Sequence, residues 1–244
     1  MSVPHFFAGA PKPGEPVVLS SEDAGHAVRS LRLRPGDEFT TSDGLGALAR
    51  CRVVRAERLL VEGEVLERTT EERPRPVLTV LLAPPKGDRL TWAVQKLVEM
   101  GTDEIVLVEA ARSVRRWRGE RADRVALRLE AVAREAAKQS RRRFLPRVGG
   151  PVPWNEAVVA PAGGLLVLLW ERARTGLLEA LPTEAPGEVA LVVGPEGGIP
   201  DGDVRDAEEQ EGAVVVSVGP TVLRSETAAV AGAAVVLARY GRLG

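Results

Sequence analysis

The sequence predicts an α/β protein in two parts, a small β-rich domain followed by a larger domain built on a parallel sheet covered by helices. Three observations predict it. Up to about Arg68, short apolar stretches are punctuated by Pro35-Gly36, Asp43-Gly44 and Gly63, which read as turn signals between strands. Beyond Pro76, apolar runs of strand length alternate with segments of helical period, the mark of a parallel sheet with crossover helices. Between them, Thr69-Thr70-Glu71-Glu72-Arg73-Pro74-Arg75-Pro76 is polar and Pro-rich, as a semi-stiff linker should be. The expected domains are therefore residues 1–70 and 76–244.

In the first domain Val17-Val18-Leu19, Glu38-Phe39-Thr40, Ala47 to Val54 and Leu59 to Leu66 supply strands, with a short helix over Glu22 to Ser30 capped by Ser20 or Ser21. In the second, Val77 to Ala83 is the first strand. Leu90, Ala93, Val94, Leu97 and Val98 then recur at helical spacing, so Asp88 to Met100 forms an amphipathic helix closed by Gly101. Ile105 to Val108 is a strand, and Glu120 to Ser140 a longer helix with Val125, Leu129, Val132, Ala133 and Ala136 on one face. Further strands fall at Leu165 to Leu169, Val189 to Val193 and Val214 to Val218, and a last helix begins at Ser225.

Composition narrows the chemistry. With 244 residues, 44% hydrophobic and 27% charged, the chain can fold around its own core without staples. No apolar run approaches the ~20 residues needed to span a bilayer, and the N-terminal Met1-Ser2-Val3-Pro4-His5-Phe6-Phe7 has no basic stretch followed by an apolar one. A cytosolic protein is expected. Cys51 is the single cysteine, and with only His5 and His26 beside it a zinc site is not expected. The same scarcity leaves little material for a His-centred triad.

Charge is unevenly spread. Residues 1–85 hold 11 Lys and Arg against 12 Asp and Glu, residues 86–147 hold 16 against 9, and residues 148–244 hold 6 against 13. A basic centre within a neutral chain makes a local field suited to a phosphate backbone, or simply a solvated helix face. It includes Arg112, Arg115, Arg116, Arg118, Arg121 and Arg124, then Arg141-Arg142-Arg143 and Arg147.

Ligands of open α/β sheets bind beyond the carboxyl ends of the strands. Three loops there are distinctive: Trp170-Glu171-Arg172, Gly194-Pro195-Glu196-Gly197-Gly198-Ile199-Pro200, and Gly219-Pro220-Thr221-Val222-Leu223-Arg224-Ser225-Glu226-Thr227. The glycines of the second allow close backbone approach to a ligand such as phosphate, or make a tight turn. Neither the dinucleotide nor the nucleoside-triphosphate glycine fingerprint is present. Arg224 and Glu226, at the mouth of the last helix, are either an ion pair locking the loop or catalytic electrostatics.

The motifs together resemble the RsmE family of 16S ribosomal RNA uracil-N3 methyltransferases, within the SPOUT superfamily. The anchors are Leu31-Arg32 with Arg34-Pro35-Gly36-Asp37, Lys86-Gly87-Asp88, Gln95 to Gly101, Ala111-Arg112-Ser113-Val114, Glu135 to Arg142, Gly194 to Gly198 and Leu223 to Ala228. Departures are His5-Phe6-Phe7, where the family usually begins Arg-Phe-Phe, and Gly25-His26 in place of a His-His pair. The resemblance implies a trefoil-knotted SPOUT methyltransferase domain preceded by a PUA-like β-barrel, a homodimer, and S-adenosylmethionine as methyl donor to 16S ribosomal RNA in the small subunit. The topology rules alone would have discarded a knot.

The implied cofactor residues are Leu168, Leu169, Trp170, Gly194, Pro195, Glu196, Gly197, Gly198, Ser217, Val218, Gly219, Val222, Leu223, Arg224 and Thr227. The candidate catalytic pair is Arg224 and Glu226. Methylating an imide nitrogen means losing its proton, so a cation beside the developing charge is expected to help; no general base is singled out. Candidate RNA contacts are Arg32, Arg34, Lys86, Arg112, Arg115, Arg116, Arg141 and Arg142. Two rivals share the scaffold: an enzyme of the same superfamily acting on another RNA position, and a non-catalytic RNA-binding assembly factor.

Overall fold

A computed structural model describes residues 3–110 and 119–243. The chain divides into two compact units. One comprises Met1–Arg73 together with Ala137–Leu145, the other Pro74–Ala136 together with Pro146–Gly244. The boundary read from the sequence lies between residues 70 and 76; the first unit also takes in the later nine-residue segment Ala137–Leu145.

The first unit holds β1 (His5–Phe6), β2 (Pro16–Val18), α1 (Ser21–Arg29), β3 (Glu38–Ser42), β4 (Ala47–Glu57) and β5 (Leu60–Thr70). The strands form one sheet in the order β1-β3-β4-β5-β2, antiparallel except for the β1/β3 pair. Alternate residues of β4 and β5 are buried, so Ala49, Cys51, Val53, Val61 and Val65 build the core with Phe6, Val17 and Phe39. Ala24 and Ala27 of α1 close it. Ser20 caps α1, its hydroxyl accepting from the Asp23 N–H at 3.1 Å. Gly63 lies inside β5 rather than at a turn: a Cβ there would stand 2.6 Å from Cζ of Phe39, so the missing side chain makes room for that ring. Segment Ala137–Leu145 joins this unit through defined bonds. Lys138 Nζ meets Asp23 Oδ1 at 2.8 Å, Arg143 Nη2 meets Glu71 Oε1 at 2.8 Å, and Leu145 N–H donates to the Gly44 carbonyl at 3.0 Å.

The second unit is built on β6 (Val77–Leu82), α2 (Arg89–Met100), β7 (Glu104–Glu109), α3 (Glu120–Gln139, whose last three residues belong to the first unit), β8 (Arg147–Pro153) and α4 (Trp154–Ala157). It continues with β9 (Leu165–Leu169), α5 (Leu177–Ala180), β10 (Glu188–Val193), α6 (Asp201–Glu208), β11 (Ala213–Val216) and α7 (Ser225–Arg239). Six parallel strands run in the order β11-β9-β10-β6-β7-β8. All of β9 and nearly all of β10 are buried, which is why their sequences are unbroken apolar runs. Leu166, Leu168, Ala190 and Val192 join Val204 and Ala207 of α6 in one core cluster. Opposite residues of the same strands meet α7. A Cβ on Gly232 would lie 2.9 Å from Cδ1 of Leu169 and 3.1 Å from Cδ2 of Leu191, so the small residues of α7 let it sit close on the sheet. Helix α2 packs on α7, buries Leu90, Ala93, Val94, Leu97 and Val98, and ends at Gly101 in the left-handed region at φ 111°.

Some elements differ from the sequence reading. Strand β8 carries Gly149-Gly150-Pro151 where a strand should be apolar, and a Cβ on Gly150 would fall 2.4 Å from the Leu107 carbonyl oxygen of the neighbouring strand. Helix α6 is acidic and polar, with only Val204 and Ala207 buried. Strand β11 stops at Val216, because Ser217 turns away to pair with Thr175 and Leu177. Among the described residues no helix is long and apolar enough to cross a membrane.

Candidate functional site

The carboxyl ends of β9, β10 and β11 open into a cleft of about 440 Å³, within the range of small-ligand sites. Each wall follows from local sequence. After β9, Trp170 N–H donates to the Val216 carbonyl at 2.8 Å, and the Arg172 guanidinium stacks 4.4 Å from the Trp170 ring centroid while pairing with Asp201. After β10, Gly198 N–H donates to the Pro195 carbonyl at 2.9 Å, with Gly198 at φ 77°, a turn that needs glycine. Gly194 is required for space: a Cβ would fall 2.4 Å from Cγ1 of Ile199, a residue buried in the core. The third wall runs from Ser217 into the first turn of α7, where Arg224 occupies the N-cap position with extended backbone.

Of the cofactor residues expected from sequence, Leu169, Trp170, Gly194, Pro195, Glu196, Gly197, Gly198, Ser217, Val218, Gly219, Val222, Leu223 and Arg224 line this cleft. Leu168 does not; its side chain is buried in the core cluster that includes α6. Thr227 and Glu226 lie outside the lining as well. Glu171, Ile199, Thr221 and Ser225, which belong to the three distinctive loops, line it as well without having been among the expected cofactor residues, as do Val193 and Ala228. Position along the last helix could have found Ser225 and Ala228, which lie one turn apart within the Leu223 to Ala228 motif.

Arg224 and Glu226 do not form the ion pair that was one sequence reading. Arg224 is exposed at the cleft, with no ion-pair partner among the described residues. Glu226 is 7% exposed and faces Arg89, its Oε1 3.6 Å from Arg89 Nε. Arg89 also donates from Nη1 to Glu196 Oε1 at 2.8 Å, and Lys86 Nζ stands 3.8 Å from Glu196 Oε2. Three buried polar atoms around the cleft have no hydrogen-bond partner among the described residues: Trp170 Nε1, Ser225 Oγ and Glu226 Oε2. Buried donors and acceptors are rarely left so, and Trp170 and Ser225 belong to the cleft wall. With apolar Leu169, Ile199 and Leu223 also in the lining, the cleft offers both polar and apolar contacts to a ligand.

The basic candidates are dispersed. Arg32 and Arg34 are exposed in the first unit, Arg32 at φ 59°, and the Arg34 N–H donates to Asp37 Oδ2 at 2.8 Å. Arg141, exposed at φ 55°, and half-buried Arg142 also belong to the first unit. Lys86 is exposed in the second. Arg112, Arg115 and Arg116 lie outside the described residues. No group of three or more His, Cys, Asp or Glu that could hold a metal occurs among the described residues.

Residues 71–237 match the family model of an RNA methyltransferase domain, and residues 19–66 match that of an RNA methyltransferase PUA domain. The ribosomal RNA small subunit methyltransferase E of Mycobacterium bovis is 38% identical over 224 residues, covering 90% of this chain and 85% of that protein. The chain belongs to the ribosomal RNA small subunit methyltransferase E family. Its Bacillus subtilis member is 30% identical over 218 residues, covering 86% and 85% of the two chains. The solved Neisseria gonorrhoeae member, bound to S-adenosyl methionine, superposes with a TM-score of 0.85 at 27% identity over 97% of this chain and 98% of that one. The family therefore supplies an α/β methyltransferase architecture carrying a PUA-type domain.

Proposed function

We propose that this chain transfers a methyl group from S-adenosylmethionine to N3 of a uridine in 16S ribosomal RNA of the small ribosomal subunit. The carrying observation is the cleft at the ends of β9, β10 and β11, in a family whose Neisseria gonorrhoeae member was crystallised with S-adenosyl methionine. The cleft residues fit such a donor. The 194–198 loop and Ser217 to Leu223 would hold it through backbone groups, Leu169 and Ile199 through apolar contact, and the unpaired Ser225 Oγ and Trp170 Nε1 through polar contact. When bound, the sulfonium supplies an electrophilic methyl.

The S–CH3 bond breaks as the N3–CH3 bond forms, the N3 proton leaves to solvent, and S-adenosylhomocysteine remains. Negative charge develops over the base carbonyls. Arg224, exposed at the cleft and without an ion-pair partner among the described residues, can meet that charge. Glu226 acts from behind: through Arg89 it anchors the first turn of α7, from which Arg224 projects. Positioning supplies much of the rate.

The reading extends to architecture. Residues 76–244 form a SPOUT domain with a trefoil knot at the cleft loops; β10 lying between β6 and β9, with β11 outside them, supports this. Residues 1–70 form a PUA-like barrel that contacts RNA through Arg32 and Arg34, with Lys86, Arg112, Arg115, Arg116, Arg141 and Arg142 adding phosphate contacts. Two chains work as a homodimer, in the cytoplasm. Affinity for the subunit then falls with salt.

Incubating purified small subunits with labelled S-adenosylmethionine and identifying the modified base tests the reaction. Under saturating cofactor and subunit, Arg224→Ala should lower turnover by about 10²-fold, the size of losing one charge-stabilising donor. Unchanged turnover would remove Arg224 from the chemistry.

A further inference from the structure

Arg89 opens α2 at the carboxyl end of β6, the strand beside β10. It lies outside the cleft lining, yet its guanidinium reaches two of the cleft's three walls at once. Nη1 donates to Glu196 of the glycine-rich loop at 2.8 Å, and Nε faces Glu226 in the first turn of α7 at 3.6 Å. Those two carboxylates come from segments thirty positions apart, and no direct bond joins their side chains. We propose that Arg89 is a positioning residue that clamps the glycine-rich loop to the start of α7 and so sets the shape of the cofactor cleft. The inference rests on the cleft being the S-adenosylmethionine site.

Charge makes the clamp necessary. Glu196 and Glu226 carry two negative charges at one side of the cleft, and the side chain of Glu226 is only 10% exposed. Lys86 faces Glu196 alone, at 3.8 Å. Deleting Arg89 would leave Glu226 buried without the cation that faces it, a costly state which the loop relieves by moving. Identity matters as well as charge. A guanidinium presents Nε and Nη on one rigid plane and can engage two carboxylates together, whereas an ammonium on a flexible stem is a single point. Arg89 is itself half exposed, its side chain at 41%, so the cost of removing it lies with the buried Glu226 that it faces rather than with Arg89 itself. The effect falls on the loops it joins.

Steady-state kinetics with intact small subunits tests the clamp. Arg89→Ala should raise the KM for S-adenosylmethionine about tenfold and, by loosening the turn of α7 that carries Arg224, lower kcat severalfold, with the KM for the subunit within about twofold of wild type. Arg89→Lys should recover part of that loss, and Arg89→Ala combined with Glu226→Gln should be no worse than Arg89→Ala alone, since both cut the same link. An unchanged cofactor KM in Arg89→Ala would overturn the clamp. So would a rise confined to the subunit KM, which would make Arg89 an RNA contact instead. Calorimetry of the wild-type protein separates the two levels: if it binds no S-adenosylmethionine, the reading of the cleft fails and the clamp falls with it, whereas normal wild-type binding with an unchanged KM in Arg89→Ala overturns the clamp alone.

Discussion

Two edges of the same parallel sheet handle buried charge in opposite ways. At the amino-terminal edge Asp103 and Arg242 form a bidentate pair, with 2.7 Å between Arg242 Nη1 and Asp103 Oδ2 and 3.3 Å between Nη2 and Oδ1. Their remaining capacity is used: the Leu78 N–H donates to Asp103, and Arg242 donates to the carbonyls of Gly101 and Pro76. At the carboxyl edge Arg89 meets its carboxylates half in solvent, while Glu226 Oε2, Ser225 Oγ and Trp170 Nε1 find no hydrogen-bond partner among the described residues. Complete satisfaction gives rigidity; polar atoms left over give a place for a ligand to bind. The fold closes one edge and leaves the other ready.

Breaking the closed edge should produce the largest effect. Asp103→Ala strands a guanidinium whose side chain is 8% exposed, which should cost about 3–5 kcal/mol in urea unfolding. If the loss is under about 1 kcal/mol, the edge is not the closed structure described. A middle-sized effect comes from the first unit, where His5 is 5% exposed and bonded through Nδ1 to Thr40 Oγ1 at 2.9 Å. Burial, with the charge of Arg141 adding to it and the Arg142 backbone opposing, lowers its pKa from 6.5 to about 4. Between these values the unfolded chain holds a proton that the fold refuses. Stability is therefore full above pH 6.5 and falls as pH drops toward 4, by about 2 kcal/mol from pH 7 to 5. His5→Gln should flatten that part of a pH series of urea unfolding midpoints; an equally steep profile would assign the loss elsewhere. The smallest effect belongs to the open edge. Ser225→Ala deletes a buried hydroxyl that has no partner among the described residues, so stability should change by under about 1 kcal/mol, while calorimetric affinity for S-adenosylmethionine falls. A large loss of stability would mean that Ser225 serves the fold and not a ligand.

How much of this could be read from the chain depends on whether the signal is local. The strands Leu165–Leu169 and Glu188–Val193, buried on both faces, announce themselves as apolar runs, and α2 by its spacing and its closing Gly101. The loops after the strands mark the cleft for the same reason, since their glycines answer to local demands such as the space beneath Gly194. Strand β8 is invisible because Gly150, its glycine at φ 92°, answers to the Leu107 carbonyl of another strand. Arg242 lies 139 positions from Asp103, and Arg89 lies 107 from Glu196, so neither pairing leaves a trace in spacing. Gly63 shows the converse error: a turn-former by type, it is a strand residue that yields space to Phe39. Glu226 and Arg224 sit two positions apart in one motif, yet one faces the cleft and the other Arg89, a separation that only the helix turn creates.

The return of Ala137–Leu145 to the first unit bears on how the protein is made. Until that segment leaves the ribosome, Ser42 lacks the Arg143 carbonyl its hydroxyl donates to, Asp23 lacks Lys138, and Gly44 lacks Leu145. Roughly 70 residues, some 4–14 s of synthesis, separate Arg73 from Leu145 at ordinary elongation rates. The amino-terminal unit, though translated first, must wait half-finished for a strand of chain that arrives after much of its neighbour.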